Sequence, residues 1–179
     1  MNEKTQRLFF ALWPSQQERK AVVDASLAVT GQSSGRVIPR QNLHITLHFI
    51  GQANDELKAC LHTAAQSTSG KAFKLTLDQF GYFRRAKTFW LGPKTIPAAL
   101  VALHRDLGDA LSPCGFQREQ REYQPHVSLI RKCSGAMSSQ HGVATPCSLN
   151  WTVNEFVLLE SVSVEQGVRY RVIERYPLT

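Results

Sequence analysis

Two short segments of the chain share one pattern of residue types that could perform acid–base chemistry. The first is His44–Leu47 and the second is His126–Leu129, and each reads histidine, apolar residue, hydroxyl residue, apolar residue. Side chains alternate between the two faces of a β-strand, so each segment predicts an imidazole and a hydroxyl on one face and two apolar anchors on the other. We name these side chains the motif histidines (His44, His126) and the motif hydroxyls (Thr46, Ser128).

Two imidazoles and two hydroxyls on one surface are suited to phosphodiester chemistry, above all on a 2′,3′-cyclic phosphate. A free imidazole titrates near neutral pH, so one ring can activate water while the other protonates the departing ribose oxygen. The hydroxyls can donate hydrogen bonds to the charged phosphoryl oxygens. A single such motif more often marks a hydrogen-bonded structural histidine, and it is the matched second copy that favours an active site.

Length, charge and cysteine content narrow the class of protein. A chain of 179 residues with 42% hydrophobic residues can form one packed domain, which we expect to span residues 1–179. The net charge of +7 favours an anionic partner such as nucleic acid. No apolar stretch is long enough for a membrane span or a signal core, so we expect a cytoplasmic protein without a membrane partner. We also expect it to be a monomer. The four cysteines lack metal-ligand spacing and predict free thiols.

Hydrophobic periodicity predicts strands and helices in alternation around the two motifs. Ser15 and Glu18 form a capping box that opens a helix ending near Thr30, and Lys132–Ser148 predicts a long polar connection. The other predicted helices are Asn54–Ser67 and one from Pro97 to Leu111, and the predicted strands are Leu8–Trp13, Leu43–Ile50, Phe73–Asp78, Thr88–Leu91, Tyr123–Ile130, Val153–Val162 and Val168–Arg175. This order indicates two α+β lobes related by pseudo-two-fold symmetry, each contributing a motif strand to a shared cleft.

Further candidates for the cleft follow from strand alternation. Phe9 shares a face with the small Ala11, so it could wall the cleft and stack a base, and Tyr123 is a second candidate for base stacking. His48 shares the face of His44, although a structural role suits it better. We find neither a ligand set for a metal nor a phosphate-binding glycine loop, so no metal and no cofactor is expected.

The paired motifs and their flanking residues resemble the 2H phosphoesterase superfamily, and within it the bacterial RNA 2′,3′-cyclic phosphodiesterase, or 2′-5′ RNA ligase, family. The resemblance includes Arg7–Leu12, Asn42–Leu43 before the first motif, Tyr123–Pro125 before the second and Arg131 after it. It implies a bilobal fold with antiparallel sheets flanking a basic central cleft and helices outside. It also implies metal-independent hydrolysis of cyclic phosphate ends of tRNA-like or short RNAs to 2′-phosphates, with reverse 2′-5′ ligation.

By position, the resemblance implies that His44 is the general acid and His126 the general base in hydrolysis, with the roles exchanged in ligation. It implies that both motif hydroxyls and Arg131 hold the phosphate. The family usually has threonine at the position of Ser128, and serine keeps the hydroxyl. Strict alternation places Arg131 on the face opposite His126, so this arginine reaches the cleft only if the strand ends or twists near Ile130.

Three other functions are compatible with parts of this pattern. A related enzyme of the same fold could act on 2′-5′ oligonucleotides or on a small cyclic nucleotide. A non-catalytic RNA-binding module could use the basic cleft and the aromatic residues alone, although intact histidines in both motifs argue against it. A metal-dependent phosphodiesterase is a further rival, and activity that survives a chelator would exclude it.

Overall fold

The computed structural model describes residues 5–30, 35–133, 144–165 and 167–179, which form helices packed on an antiparallel sheet. The helices are α1 (Gln16–Thr30), α2 (Asp55–Ser67) and α3 (Ala98–Leu111). The strands are β1 (Gln6–Leu12), β2 (Arg36–Val37), β3 (Ile45–Ala53), β4 (Phe73–Phe83), β5 (Thr88–Gly92), β6 (Val127–Arg131), β7 (Ala144–Val153), β8 (Glu155–Val164) and β9 (Gly167–Pro177). The predicted α+β class is confirmed.

Local sequence signals place the helices where they were predicted. Before α1, the Ser15 N–H donates to the Glu18 carboxylate over 2.6 Å and the Glu18 N–H donates to the Ser15 hydroxyl over 3.3 Å, which completes the capping box. The Asn54 side chain caps α2 by accepting the Leu57 N–H over 2.9 Å. The stripe of leucines on α3 is buried, as the periodicity predicts: Leu100, Leu103, Leu107 and Leu111.

The strands of the described residues form one sheet in the order β7-β4-β5-β6-β3-β1-β8-β9, and the short β2 also pairs with β6. The two strands that carry the motifs, β3 and β6, lie side by side in the middle and pair through Ile45 and Val127. We call this pairing the seam. Four strands of the main path lie on each side of the seam, which is the two-lobed arrangement predicted from the element order.

The helices cover one face of the sheet and leave the other face to the motifs. α1 packs against β7 and β6, whereas α2 and α3 pack against each other and against β3. The apolar anchors of both motifs join the helices in one core, and Ile45 and Val127 have no exposed surface. Burial of these anchors fixes the opposite face of each motif strand toward the cleft. Among the described helices, none has the length and apolarity that crossing a membrane requires.

The structure corrects the prediction that Lys132–Ser148 is a connection without a strand. Residues 144–153 form β7, which pairs with β4 from Phe73↔Val153 to Gln79↔Ala144. In the described sheet β7 is an edge strand, which tolerates polar residues and a proline such as Pro146 because it has one partner strand. The remainder of the predicted connection, residues 134–143, lies outside the described residues.

The structure also corrects the prediction of free thiols. Cys60 of α2 and Cys114, just after α3, form a disulfide across a sequence separation of 54 residues. The spacing of the two cysteines in the sequence does not indicate this disulfide, because the disulfide depends on the packing of α2 against α3. Cys133 is a buried free cysteine.

The disulfide should contribute measurably to stability. A cross-link that closes a loop of this length is worth roughly 2–4 kcal/mol in the free energy of unfolding, mainly through the unfolded state. We expect Cys60→Ser, Cys114→Ser and the double variant to show the same loss in urea denaturation, because each removes the same bond. A double variant as stable as the wild type in non-reducing buffer would contradict this.

Candidate active site

The register at the seam brings the two motifs together on one face of the sheet. Ile45 and Val127 are opposite each other on antiparallel strands, and both point into the core. Alternation then turns the residues on either side of each anchor to the opposite face. His44 therefore lies across from Ser128, and Thr46 lies across from His126. The two motif histidines and the two motif hydroxyls form a four-residue cluster at the centre of the sheet.

Both motif histidines are held in the same tautomer by the same backbone contact. His44 Nδ1 lies 2.7 Å from the carbonyl oxygen of Asn42, and His126 Nδ1 lies 2.8 Å from that of Gln124. A carbonyl only accepts hydrogen bonds, so Nδ1 carries the proton in each ring and Nε2 is the nitrogen that can exchange one with a substrate. Nε2 of His44 lies 3.1 Å from the Thr46 hydroxyl, which can donate to it.

Asn42 connects His44 to the hairpin formed by β8 and β9. Its side-chain amide is buried and donates to the Val168 carbonyl over 2.7 Å, while the backbone carbonyl of Asn42 accepts from His44. On the same hairpin, the Tyr170 ring meets the His44 ring edge-on at a centroid distance of 5.0 Å. The hairpin thus covers one side of His44. The sequence gives no local sign of this contact, because Val168 and Tyr170 are more than a hundred residues away.

A β-bulge in β6 resolves the position of Arg131. Two successive residues of β5 face Ile130 and Ser128, so Leu129 is an extra residue in the ladder. Leu129 and Ile130 are consequently both buried, and Arg131 is exposed. The bulge resets the alternation and returns Arg131 to the face of Ser128. Burial is the main reason that the pKa of both motif histidines is lowered, and the positive charge of Arg131 adds to it, as expected for a guanidinium beside the cleft.

A matching bulge in β3 changes the roles of His48 and Phe49. Two successive residues of β1 face His48 and Thr46, so Leu47 is the extra residue. His48 turns into the core, where it is 4% exposed and its Nε2 lies 2.8 Å from the His104 carbonyl. It has a structural role and does not line the cleft. Phe49 takes the cleft face instead and is 57% exposed.

The aromatic residues beside the cleft differ in how open their rings are. Phe9 lies 5.1 Å from the His44 ring between centroids, but it is 3% exposed, so it can wall the cleft without offering a ring face to a base. Phe49 lies 6.0 Å from Phe9 and exposes its ring. The sequence did not indicate Phe49 as a cleft residue, because strict alternation from His44 assigns residue 49 to the buried face of the strand.

The structure assigns Tyr123 contacts that do not suit base stacking. Its ring stacks on His104 at a centroid distance of 3.8 Å, and its hydroxyl donates to the Thr46 carbonyl over 3.0 Å. These contacts cover one ring face and use the hydroxyl, so Tyr123 supports the backbone of the first motif. We do not retain it as a base-stacking residue.

Comparison with known proteins identifies the family. A profile of the 2′-5′ RNA ligase superfamily matches residues 13–165. The chain belongs to this superfamily. The RNA 2′,3′-cyclic phosphodiesterase of Escherichia coli K12 is 31% identical over 176 residues, covering 97% of each chain. A protein of the same name from Bacillus subtilis is 34% identical over 141 residues, covering 76% of each chain.

Two solved structures share the fold along nearly the whole chain. The crystal structure of E. coli LigT complexed with 3′-AMP superposes with a TM-score of 0.89 at 29% identity, covering 98% of this chain and 99% of that one. TT0787 of Thermus thermophilus superposes with a TM-score of 0.79 at 22% identity, covering 96% and 97%. These likenesses agree with the two-lobed fold predicted from the sequence.

The wall behind His126 depends on two glycines that sequence analysis did not single out. Trp90 is buried and lies 6.0 Å from the His126 ring between centroids. Its indole packs against Gly81 of β4, where an added Cβ would stand 1.9 Å from a ring atom, and Gly92 borders the same ring. A glycine inside a strand often marks such a close approach, which is the signal that could have found this contact.

Burial keeps both motif histidines neutral in the free protein. Burial away from water lowers the pKa of His44 to about 4. Electrostatic repulsion from Arg131, His126 and Arg19 acts on this pKa in the same direction. Burial also lowers the pKa of His126, assisted by Arg121 and Arg131. Both rings are therefore deprotonated near pH 7, which is the form that a general base needs. A bound phosphate anion would offset the arginine charge and favour the protonated form that a general acid needs.

These shifts predict an acidic optimum for kcat/KM, which reports the free enzyme. The general acid must be protonated, and the pKa values of both motif histidines lie below the usual 6.5. At pH values above 6.5, kcat/KM should therefore fall about tenfold for each pH unit. The kcat profile should fall at higher pH, because bound phosphate raises the pKa values. Measurements of kcat/KM and kcat over roughly pH 4 to 9 test both expected falls. A kcat/KM that rises between neutral and alkaline pH would contradict the assignment.

Proposed function

We propose that this protein hydrolyses 2′,3′-cyclic phosphate ends of RNA to 2′-phosphates by acid–base catalysis with the two motif histidines. The observation that carries the proposal is the register at the seam, from which both imidazoles and both motif hydroxyls share one face of the sheet. Membership of the 2′-5′ RNA ligase superfamily and the similarity to cyclic phosphodiesterases over nearly the whole chain support the same reaction.

In the proposed reaction His126 acts first as the general base. Its Nε2 takes a proton from water, and the water oxygen forms a bond to phosphorus. The bond from phosphorus to the 3′ oxygen breaks, and that oxygen takes the electron pair together with a proton from Nε2 of His44. The products are a 2′-phosphate and a free 3′-hydroxyl, and proton exchange with solvent restores both rings. When a ribose 5′-hydroxyl replaces water, the same steps form a 2′-5′ linkage with His126 still the base and His44 still the acid. The exchange of roles expected for ligation therefore applies to the reverse reaction, which cleaves that linkage.

The motif hydroxyls and Arg131 are proposed to hold the phosphoryl oxygens. Each hydroxyl can donate one hydrogen bond, and the guanidinium can present two parallel N–H groups to an anion. Their positions around the histidine cluster suit the charge that develops as the water oxygen approaches phosphorus. The proposal requires no metal-bound water, since the two imidazoles supply both proton transfers.

We propose that the protein acts as a cytoplasmic monomer and as one domain of two lobes spanning residues 1–179. Both motif histidines come from the same chain, so a single copy contains a complete site. The site lies on the seam, so neither lobe alone would contain it. Disulfides are rare in a reducing compartment, so alkylation of rapidly quenched cells should show whether Cys60 and Cys114 are paired there.

The test is incubation of the purified protein, dialysed against a chelator, with a short RNA that ends in a 2′,3′-cyclic phosphate. We expect complete conversion to the 2′-phosphate, identified by mass spectrometry and by comparison with synthetic 2′- and 3′-phosphate standards. Parallel reactions with a cyclic mononucleotide and a 2′-5′ dinucleotide compare the alternative substrates. A 3′-phosphate product, or activity that returns only with a divalent ion, would refute the mechanism.

Phe49 is proposed to stack on the base of the terminal nucleotide. Phe49→Ala should raise KM for the RNA roughly 5- to 150-fold, which corresponds to the ~1–3 kcal/mol that one base–aromatic stack contributes, and should leave kcat close to the wild-type value. Steady-state kinetics measure both quantities. Val101→Ala is the matched control, because it shortens an exposed apolar side chain on α3. A KM equal to that of the control would remove Phe49 from the site.

A further inference from the structure

The basic side chains of this protein differ in whether an acid neutralises them. Four arginines on β9 and around the loop that follows α3 are paired with carboxylates: Arg171 with Glu160, Arg175 with Glu155, Arg118 with Asp109 and Arg121 with Glu119. A second group of five is exposed and belongs to no ion pair within the described residues, and, unlike other unpaired lysines such as Lys71, Lys74 and Lys94, it comes from two neighbouring segments: Arg84, Arg85, Lys87, Arg131 and Lys132. Paired charges largely cancel at a distance, whereas the second group keeps its full positive charge.

The sheet brings this second group to one end of β4, β5 and β6. Residues 84–87 form the turn between β4 and β5, and Thr88 at the start of β5 pairs with Arg131. The Lys87 carbonyl accepts the Cys133 N–H over 3.1 Å, which ties the turn to the end of β6. We call Arg84, Arg85, Lys87 and Lys132 the basic edge. It extends outward from Arg131, the arginine next to the motif histidines.

The segments that build the basic edge contain no acidic residue. No aspartate or glutamate occurs between residues 79 and 105 or between residues 123 and 154. A ligand that follows the surface outward from Arg131 along the turn therefore meets successive positive side chains. Successive positive side chains are complementary to a polyanion whose negative charges are spaced along a chain. They are more numerous than the contacts that a single phosphate can make.

We propose that the basic edge binds the sugar–phosphate backbone of the RNA that leads to the cyclic end, and thereby makes an RNA chain a better substrate than a cyclic mononucleotide. This inference rests on the proposed function and adds a preference for an RNA chain over a mononucleotide, together with the surface that causes it. A cyclic mononucleotide carries one phosphate, which the cleft holds. Each further nucleotide adds one phosphate, and lysine and arginine contacts to phosphates release counterions without reading the bases. The preference is therefore for chain length and is independent of sequence.

The test compares two triple variants that remove the same net charge. Arg84→Ala/Arg85→Ala/Lys87→Ala removes three positions of the basic edge. Lys71→Ala/Lys74→Ala/Lys94→Ala removes three exposed lysines from the opposite end of β4 and β5. Binding of a fluorescent dodecamer RNA with a 2′-phosphate end is measured by anisotropy at several salt concentrations. KM is measured for a dodecamer with a cyclic end and for a cyclic mononucleotide, and thermal melts check folding.

We expect the basic-edge variant to bind the dodecamer at least tenfold more weakly at low salt, with a shallower dependence of log Kd on log salt by about 2, because three phosphate contacts on a single strand contribute ~0.7 each. KM for the dodecamer should rise in parallel, while the rate on the mononucleotide should match that of the lysine control. Equal RNA affinity and equal salt slope in the two triple variants would overturn the inference. Failure of the wild type to open either cyclic phosphate would instead refute the proposed function, and the anisotropy data would still decide the role of the basic edge.

Discussion

Replacing either motif histidine with alanine is expected to lower kcat/KM by roughly 10²–10⁴-fold, because each variant loses one of the two proton transfers. His44→Ala should lose protonation of the departing 3′ oxygen, and His126→Ala should lose activation of water. The double variant should be far less active than the wild type but much more active than the product of the single losses predicts, since a reaction without its acid gains little from its base. Single-turnover assays with cyclic-ended RNA measure the chemical step.

The control for this prediction is His62→Ala. His62 is a half-buried histidine outside the cleft whose Nδ1 lies 3.0 Å from the Tyr176 hydroxyl. The His62→Ala variant should keep the wild-type rate. It therefore controls for effects on the protein that come from removing any hydrogen-bonded imidazole. Folding of the motif variants should be nearly intact, because the apolar anchors on the opposite face hold the strands. If His44→Ala unfolded the protein or left the rate unchanged, the histidine would be structural and the active-site proposal would be wrong.

The motif hydroxyls should matter less than the histidines. Thr46→Ala and Ser128→Ala each remove one donor to the phosphoryl oxygens while the other donor and Arg131 remain. A single well-placed donor is worth ~2.7–4 kcal/mol in the transition state, and we expect each hydroxyl to fall at or below that range. This ordering of losses distinguishes proton transfer from charge stabilisation within each motif.

Arg131→Ala should produce the second large loss, a fall in kcat/KM of roughly 10²–10³-fold, because it removes a charged donor from the developing phosphoryl charge. A second effect follows from the electrostatics of the free site. The guanidinium lowers the pKa of both motif histidines, so its removal should move the alkaline limb of the kcat/KM profile to higher pH. The pH dependence of kcat/KM for the variant measures both effects together.

Arg131→Lys is the matched control for this variant. Lysine keeps the positive charge but not the planar pair of donors, so it should retain the pKa shift while recovering only part of the rate. An Arg131→Ala variant with wild-type kcat/KM and an unchanged pH profile would show that the bulge in β6 does not bring this side chain to the phosphate.

Local sequence signals determined the elements of this fold and the chemistry of the cluster. The capping box of Ser15 and Glu18, the cap of Asn54 and the leucine stripe of α3 act within a few residues, so they can be recognised without knowing what packs against them. The alternation of each motif is local in the same way, and it indicated which side chains are anchors and which could act on a substrate. Net charge likewise indicated an anionic partner.

The bulges in β3 and β6 could not be recognised from the sequence, and they decided which residues join the site. Each bulge exists only because the neighbouring strand, β1 or β5, advances one residue while the motif strand advances two. The same shift turned His48 into the core and brought Phe49 and Arg131 onto the cleft face. Strict alternation from the histidines would have assigned all three to the wrong face.

Long-range packing decided the remaining features. The seam register between Ile45 and Val127, the disulfide between Cys60 and Cys114, and the pairing of β7 with β4 each join segments more than fifty residues apart. The sequence determined which segments become strands and helices and which side chains could do chemistry, because propensity, capping and periodicity act between near neighbours. Only the tertiary structure decided the partners and register of those segments, because these depend on which distant surfaces bury the most apolar area when the chain closes on itself.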